Sequence, residues 1–407
     1  GKVVFNTDGV AAATTVAGAI TGGGVGQGTI QTTNTGGTTF GGAIGANDLL
    51  LVDVDATSTF SSTVDAVALT ADATTTVTGN AGIDTITITG ATANFAGTVA
   101  TTGGAENDII LADGTAKVVF TGAKTYTTAI TSSTTSEGTV QLTGVANIVG
   151  SIGTDADNTV ATLDVDESSS ISGSVFVDAT TVSDTDVLTF DGGAAQTVTG
   201  TIDSDDGADN GDIAVSATVG GVTFSGAIGS NDVIEVLDDN SATTYNGTVN
   251  ATTITLDDSS LANGVSTFNE AVTATTVTIG TASAKTVNFK KNLTATTITA
   301  ANAADAITFN GTSAQTIAGT IDGAAGIAGV VTSNNAAGTT FNGKLGNAQQ
   351  LTKIDTATGA KSVFSETVDT ALFAVTGTGS ATISKVSNVA TNLTLASGST
   401  LILDDTI

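Results

Sequence analysis

Residues 243–256 read TTYNGTVNATTITL, residues 266–279 read STFNEAVTATTVTI, and residues 286–299 read TVNFKKNLTATTIT. Each is a strand ending in an aromatic residue, a short polar turn and a second Thr-rich strand. SVFSETVDTALFAV at 362–375 is a looser fourth copy. Within the second strands, side chains alternate, as in Thr252-Thr253-Ile254-Thr255-Leu256 and Thr85-Ile86-Thr87-Ile88-Thr89. That alternation turns one set of residues inward and leaves Thr on the other face.

Working outward, the aromatics Phe224, Tyr245, Phe268, Phe289 and Phe309 follow one another at 20 to 23 residues. A period of that size holds three short strands and three turns, one coil of a parallel β-helix. Longer steps separate Phe5 from Phe40, Phe190 from Phe224 and Phe309 from Phe341. These are read as coils carrying an inserted loop or an additional strand. Phe224, Tyr245, Phe268, Phe289, Phe309, Phe341 and Phe364 are expected at equivalent coil positions, stacked as a core ladder.

A larger block recurs three times, as GGTTFGGAIGANDLLLVD from Gly36, GGVTFSGAIGSNDVIEVLD from Gly220 and AGTTFNGKLGNAQQLTKID from Ala337. Related segments precede them, TTVAGAIT from Thr14, AQTVTGTID from Ala195 and AQTIAGTID from Ala314. The expected fold is therefore all-β, a β-solenoid with coils of about 20–23 residues and some longer, loop-bearing coils. Residues 1–407 form one continuous array, with sub-blocks at 1–186, 187–305 and 306–407. The alternative is a string of tandem β-sandwich domains. It is disfavoured because the visible period is far shorter than such a domain.

Composition agrees with an array. Pro, Cys, Met, Trp, His and Arg are absent, while Thr, Val and Ile favour extended backbone and Gly and Asn supply turns. Without His or Cys, the usual general base, thiol nucleophile and zinc ligands are missing. The chain is read as a non-enzyme, with an acid-pair glycosidase as the remote alternative. The 39 acids outnumber 10 Lys for a net charge of −29, and no cation lies between Lys124 and Lys285. Such a field repels nucleic acid and attracts divalent cations. No apolar run reaches the roughly 20 residues of a membrane helix, so this segment is not expected to insert in a membrane.

Asp exceeds Glu by 33 to 6, and the insert at 203–212 places Asp203, Asp205, Asp206, Asp209 and Asp212 within ten residues, with Gly between. Calcium takes six to eight oxygen ligands in flexible geometry, and this loop is its candidate site. Asp84, in Gly79-Asn80-Ala81-Gly82-Ile83-Asp84-Thr85-Ile86-Thr87, is a weaker candidate through likeness to a calcium-binding nonapeptide. The segment at 103–108 is a poorer copy. The third block has lost nearly all the acids of its insert, so a site essential to every repeat is excluded.

The aromatic-turn-ATTIT units and the GTTFxGxIG blocks resemble the β-strand-repeat surface proteins of Gram-negative bacteria. These are autotransporter passenger domains and surface-layer proteins, including the rickettsial surface-layer type. The resemblance implies an exported protein that coats the cell, adheres or forms a fibre, with no catalytic residues. The expected function is an extracellular structural protein that self-assembles into a surface layer or fibre, and the alternative is an adhesin passenger domain. Strand-like segments at both ends, Lys2-Val3-Val4-Phe5 and Leu401-Ile402-Leu403, carry no polar cap. Self-association, end-to-end or lateral, is the expected partnership, unless the segment is cut from a longer chain.

Overall fold

The structure is a computed structural model, and it describes residues 1–6, 12–100, 109–205, 210–216, 220–257, 264–324, 326–385 and 387–404. These residues form short strands and turns with no helix. None is a helix long and apolar enough to cross a membrane. The chain divides into two compact units, Gly1–Gly192 with Gln196–Gly200, and Gly193–Ala195 with Thr201–Ile407.

Each unit is a parallel β-solenoid, and its coils pass through three pairing positions. In the second unit, Thr243–Tyr245 pairs with Val222–Phe224 before it and Val265–Phe268 after it. Val249 then bridges Ile228 and pairs with Val272, and Ile254 pairs with Leu237 and Val277. In the first unit, Lys2–Phe5 pairs with Thr29–Thr32, Thr14–Val16 with Thr38–Phe40, and Ile20 bridges Ile44. The parallel β-solenoid is as read from the sequence, but the coil of Tyr245 has two strands in place of three, Thr243–Tyr245 and the eight-residue Val249–Leu256, which spans two pairing positions.

Alternation along the strands explains burial. Ile254, Leu256, Val277, Ile279 and Ile298 are buried, while the intervening threonines stay partly exposed. Register places Thr253, Thr276, Thr297 and Thr320 side by side, and Thr255, Thr278 and Thr299 beside them, as two outward hydroxyl ranks. Inside, the rings of Phe224, Tyr245, Phe268 and Phe289 stack almost flat, with centroids 5.3, 4.5 and 5.1 Å apart. Offset stacking of this kind adds to the burial of each ring.

Two further expectations need correction. Besides coils of 20–23 residues and longer ones such as the step of 27 from Phe5 to Thr32, shorter coils occur: Val54 pairs with Ala71, a step of 17. More importantly, Phe341 and Phe364 are not at the position of Phe309. The register partner of Phe309 is Ser333, whereas Phe341 pairs with Ile317 and Phe364. The long step from Phe309 to Phe341 is one coil plus one further strand. The ladder thus moves to the next wall of the solenoid, and the two rings meet edge-on at 5.3 Å and 81°. Phe5 and Phe40 make the same move at 5.1 Å and 86°. Because the interior is narrow, a ring from either wall fills the same central volume, so side-chain contact survives where backbone equivalence is lost.

Truncating a ring in the flat stack should leave an unfilled layer. Phe268→Ala is expected to cost about 3–5 kcal/mol, and Phe268→Leu distinctly less. Urea unfolding followed by β-sheet circular dichroism checks both.

Candidate functional site

Among the described residues, the acids singled out in the sequence form no group of three. Asp203 is nearly fully buried and already engaged: Oδ1 accepts the Asn231 N–H at 2.8 Å and the Ser230 hydroxyl at 3.3 Å, and Oδ2 accepts the Asn231 side-chain amide at 3.1 Å. Asp212 lies in strand Asn210–Val215, where its Oδ1 accepts the Val236 N–H at 3.0 Å. Burial, and then the charge of Glu235, push the Asp212 carboxyl up. Asp205 is described at the loop's edge, and Asp206 and Asp209 lie outside the described residues. Asp84 is half-buried in strand Ala81–Ile88, so the nonapeptide is largely strand and not a metal-gripping turn. Residues 103–108 lie outside the described residues. Among the described residues, no three His, Cys, Asp or Glu side chains are grouped to hold a metal.

Asp203 shows what these acids do. In the third block the matching Asp322 accepts the Ala348 N–H at 2.9 Å, so the shared TID motif clamps the turn of the next coil. The turn depends on glycine: Gly229 and Gly346 have φ of 65° and 74°. A Cβ there would sit 2.1 Å from the Asn250 carbonyl oxygen and 2.0 Å from that of Asp369. The AQT motif supplies a second clamp. Buried Gln315 donates to the Phe289 and Lys291 carbonyls and accepts the Gly311 N–H. Gln196 repeats this on Ile171, Gly173 and Gly192. Asn34 and Asn335, fully buried ahead of the TTF strands, each bind three acceptors through the side-chain amide.

A dense polar cluster among the described residues escaped the sequence reading. Asp239 and Lys285 are both completely buried in the second unit. Asp239 accepts the Ser241 N–H at 3.0 Å and the Thr243 and Ser266 hydroxyls at 2.6 Å each. Lys285 Nζ donates to the carbonyl oxygens of Ser241 and of Asp257, the latter at 2.8 Å. Asp257 in turn holds the N–H groups of Ala282 and Ser283, and Asp305 holds those of Lys285 and Asn302. Burial raises the Asp239 carboxyl, with the nearby Lys285 charge opposing it. Burial also holds the Tyr245 phenol well above its ordinary value, Asp239 adding to the effect, and the hydroxyl lacks an aligned hydrogen-bond partner. The available signal was that Lys285 ends the long cation-free stretch, at a coil corner.

In chemical terms these groups fasten coils to each other. A different feature is a shallow groove of about 240 Å³ in the first unit, lined by Val145, Ala146, Asn147, Ser168, Ser169, Ser170, Val187 and Thr189. No known protein family, curated protein or solved structure matches the chain.

Thr38 and Thr339 occupy matching inward positions, and each buries a hydroxyl without a partner, where the middle block has Val222. Thr339→Val should therefore stabilise the second unit by about 1 kcal/mol, measured as a rise in the urea midpoint.

Buried and half-buried carboxylates dominate the pH dependence. Asp65, Asp164, Asp212, Asp238, Asp239 and Asp305 are all raised, chiefly by burial. At these six groups the folded chain therefore binds more protons than the unfolded chain above the ordinary carboxylate range, while the exposed Asp113 and Glu137, lowered by hydrogen bonds from Thr115 and Ser133, act in the opposite sense. Stability is complete below that range and falls as pH rises through the folded values. Melting is expected at a higher temperature at mildly acidic pH than at alkaline pH. Lys285→Met, which strands the Asp239 charge, should cost about 3–5 kcal/mol at alkaline pH and less in acid. Adding Asp239→Asn should recover most of the loss.

Proposed function

We propose that the chain is an extracellular structural protein of a bacterial cell surface that self-assembles into a layer or fibre and carries no catalysis. The observation that carries this reading is the use of its polar side chains: Asp203, Asp257, Asp305, Asp322, Gln196 and Gln315 all grip backbone of neighbouring turns. A chain that spends its chemistry on coil-to-coil fastening is built to hold a shape. The acidic exterior and the outward threonine ranks give a hydrated wall, and the resemblance to β-strand-repeat surface proteins supports export.

The acid-pair hydrolase reading would rest on Asp212 and Glu235, whose charges interact, but Asp212 Oδ1 is committed to the Val236 N–H. Calcium stiffening would fall to Asp205, Asp206 and Asp209, because Asp203 is already enclosed by Ser230 and Asn231. The adhesin reading draws on the groove beside Val145, an exposed apolar residue among serines and Asn147.

Antibody labelling of intact source cells, with negative-stain microscopy of the surface, tests the proposal. Label without permeabilisation on a regular layer or on fibres is expected. Label confined to permeabilised cells would overturn it.

A further inference from the structure

The three long blocks build one turn with three different chemistries. In the third block, Leu345 bridges Val368 and Leu351 pairs with Thr370, so Gln350 stands opposite Asp369. Asp369 Oδ1 accepts the Gln350 side-chain amide at 2.6 Å and, from the coil after, that of Asn388 at 3.0 Å. In the first block, Ile44 pairs with Val64 and Leu49 with Ala66, which puts Asp48 opposite Asp65, and Gly82 takes the place of Asn388. The backbones agree: Gly45 and Gly346 have φ of 80° and 74°, and their N–H groups donate to the Ile20 and Ile321 carbonyls at 2.8 and 2.7 Å. In the second block the facing pair is Val233 and Asn250, without charge, and the Asn250 amide donates to the Gly229 carbonyl at 2.9 Å.

Of the three turns, the first alone sets a carboxylate against a carboxylate. Among the described residues no hydrogen-bond donor reaches the Asp65 side chain, and burial, then the charge of Asp48, push its carboxyl up. A Cβ on Gly82 would sit 2.6 Å from Asp65 Oδ1, so glycine is what lets this carboxylate lean over the coil after it. The segments packed around the turn, 20–32, 44–54, 64–71 and 81–88, carry Asp48, Asp53, Asp65 and Asp84 and no cation. Of these, Asp53 accepts the Thr70 hydroxyl at 2.9 Å, and Asp84 lies on the coil after Asp65. Asp48 also holds the coil before it, its carbonyl accepting the Gly26 N–H at 3.0 Å. Its φ of 44° is a left-handed conformation that Asp and Asn tolerate better than most residues.

We propose that Asp48 and Asp65 are an acid-closed clamp on the turn at 45–48, in which one proton shared between the two carboxyls does what the Gln350 amide does permanently in the third block. Protonation turns one carboxyl into an O–H donor and removes the like-charge repulsion in the same step. The pair titrates as a unit, and its proton is held above the ordinary carboxylate range. Closure is therefore complete in acid and is lost as pH rises and both groups ionise. The Gly26–Asp48 bond passes closure on to the loop at 22–27, so acid fastens two successive coils of the first unit. The device is local to that unit and stands apart from the surface-structural reading.

Hydrogen exchange of the full chain, read by mass spectrometry over segments 22–28 and 44–50 and corrected for the intrinsic pH dependence of exchange, tests it. In wild type both segments should exchange about two- to fivefold more slowly in mild acid than at neutral pH, the scale of one partly exposed charge interaction, while 346–350 stays level. Asp48→Asn supplies an amide donor in a residue that keeps the left-handed turn, and should give the slow rate at both pH values. Asp65→Asn offers Asp48 the same partner from the other side and should do likewise. Both side chains are at least partly exposed, and circular dichroism confirms that each variant is folded. Wild-type rates that do not respond to acid overturn the clamp. An acid response that persists in both variants also overturns it, because the titrating group would then lie elsewhere.

Discussion

Parallel backbone pairing between successive coils is the constraint on which everything else in each unit rests. Tyr245 has Phe224 on one side and Phe268 on the other at the same level, and every residue of its strand is locked with it. A slip of one residue would turn the whole inward set outward. The ring stack, the outward threonine ranks and the corner clamps all require this register. Each also defends it, since a displaced coil would lose the ring contacts and the side-chain hydrogen bonds together.

A thin interior makes the corners expensive. Turns must bend a backbone whose N–H and C=O groups lie too deep for water, and an unpaired buried amide costs on the order of 1–3 kcal/mol. Gln196, Gln315, Asn34, Asn335 and the buried aspartates meet that need from the side-chain direction. Carboxylates are effective here because hydrogen bonds to a charged acceptor are stronger than neutral ones. They also bring the burial cost that raises their proton affinity. Lys285 is the compensating charge at the most crowded corner.

The fold was largely legible. Alternation in residues 252–256 and the near-constant spacing of Phe224, Tyr245, Phe268, Phe289 and Phe309 are direct imprints of strand and coil periods, and both hold. Phe341 was misplaced because spacing along the chain cannot distinguish one coil from one coil plus a wall. Only the pairing of Phe309 with Ser333 separates them. The site was less legible. An Asp-rich loop and an Asp-based turn clamp share a composition, and Asp203 belongs to the second kind because Ser230 and Asn231, nearly thirty residues away, fold back onto it. The repeated Gln of AQT was visible in the sequence, yet its role depends on carbonyls contributed by the preceding coil.

Because each coil pairs its backbone only with its neighbours, the array is written in exchangeable modules, with the Lys285 side chain reaching past one coil to the Ser241 carbonyl as an exception. Removing the segment between Tyr245 and Phe268 would bring Phe289 to the level above Tyr245, where an aromatic ring already belongs. Losing one residue from the same segment would break the alternation of every side chain up to the next turn. Genetic change by whole coils thus keeps the backbone register and the ring stack, at the cost of side-chain bonds such as those of Asp257, while change by single residues does not. A lineage of such chains can lengthen or shorten by unequal recombination and keep its interior intact.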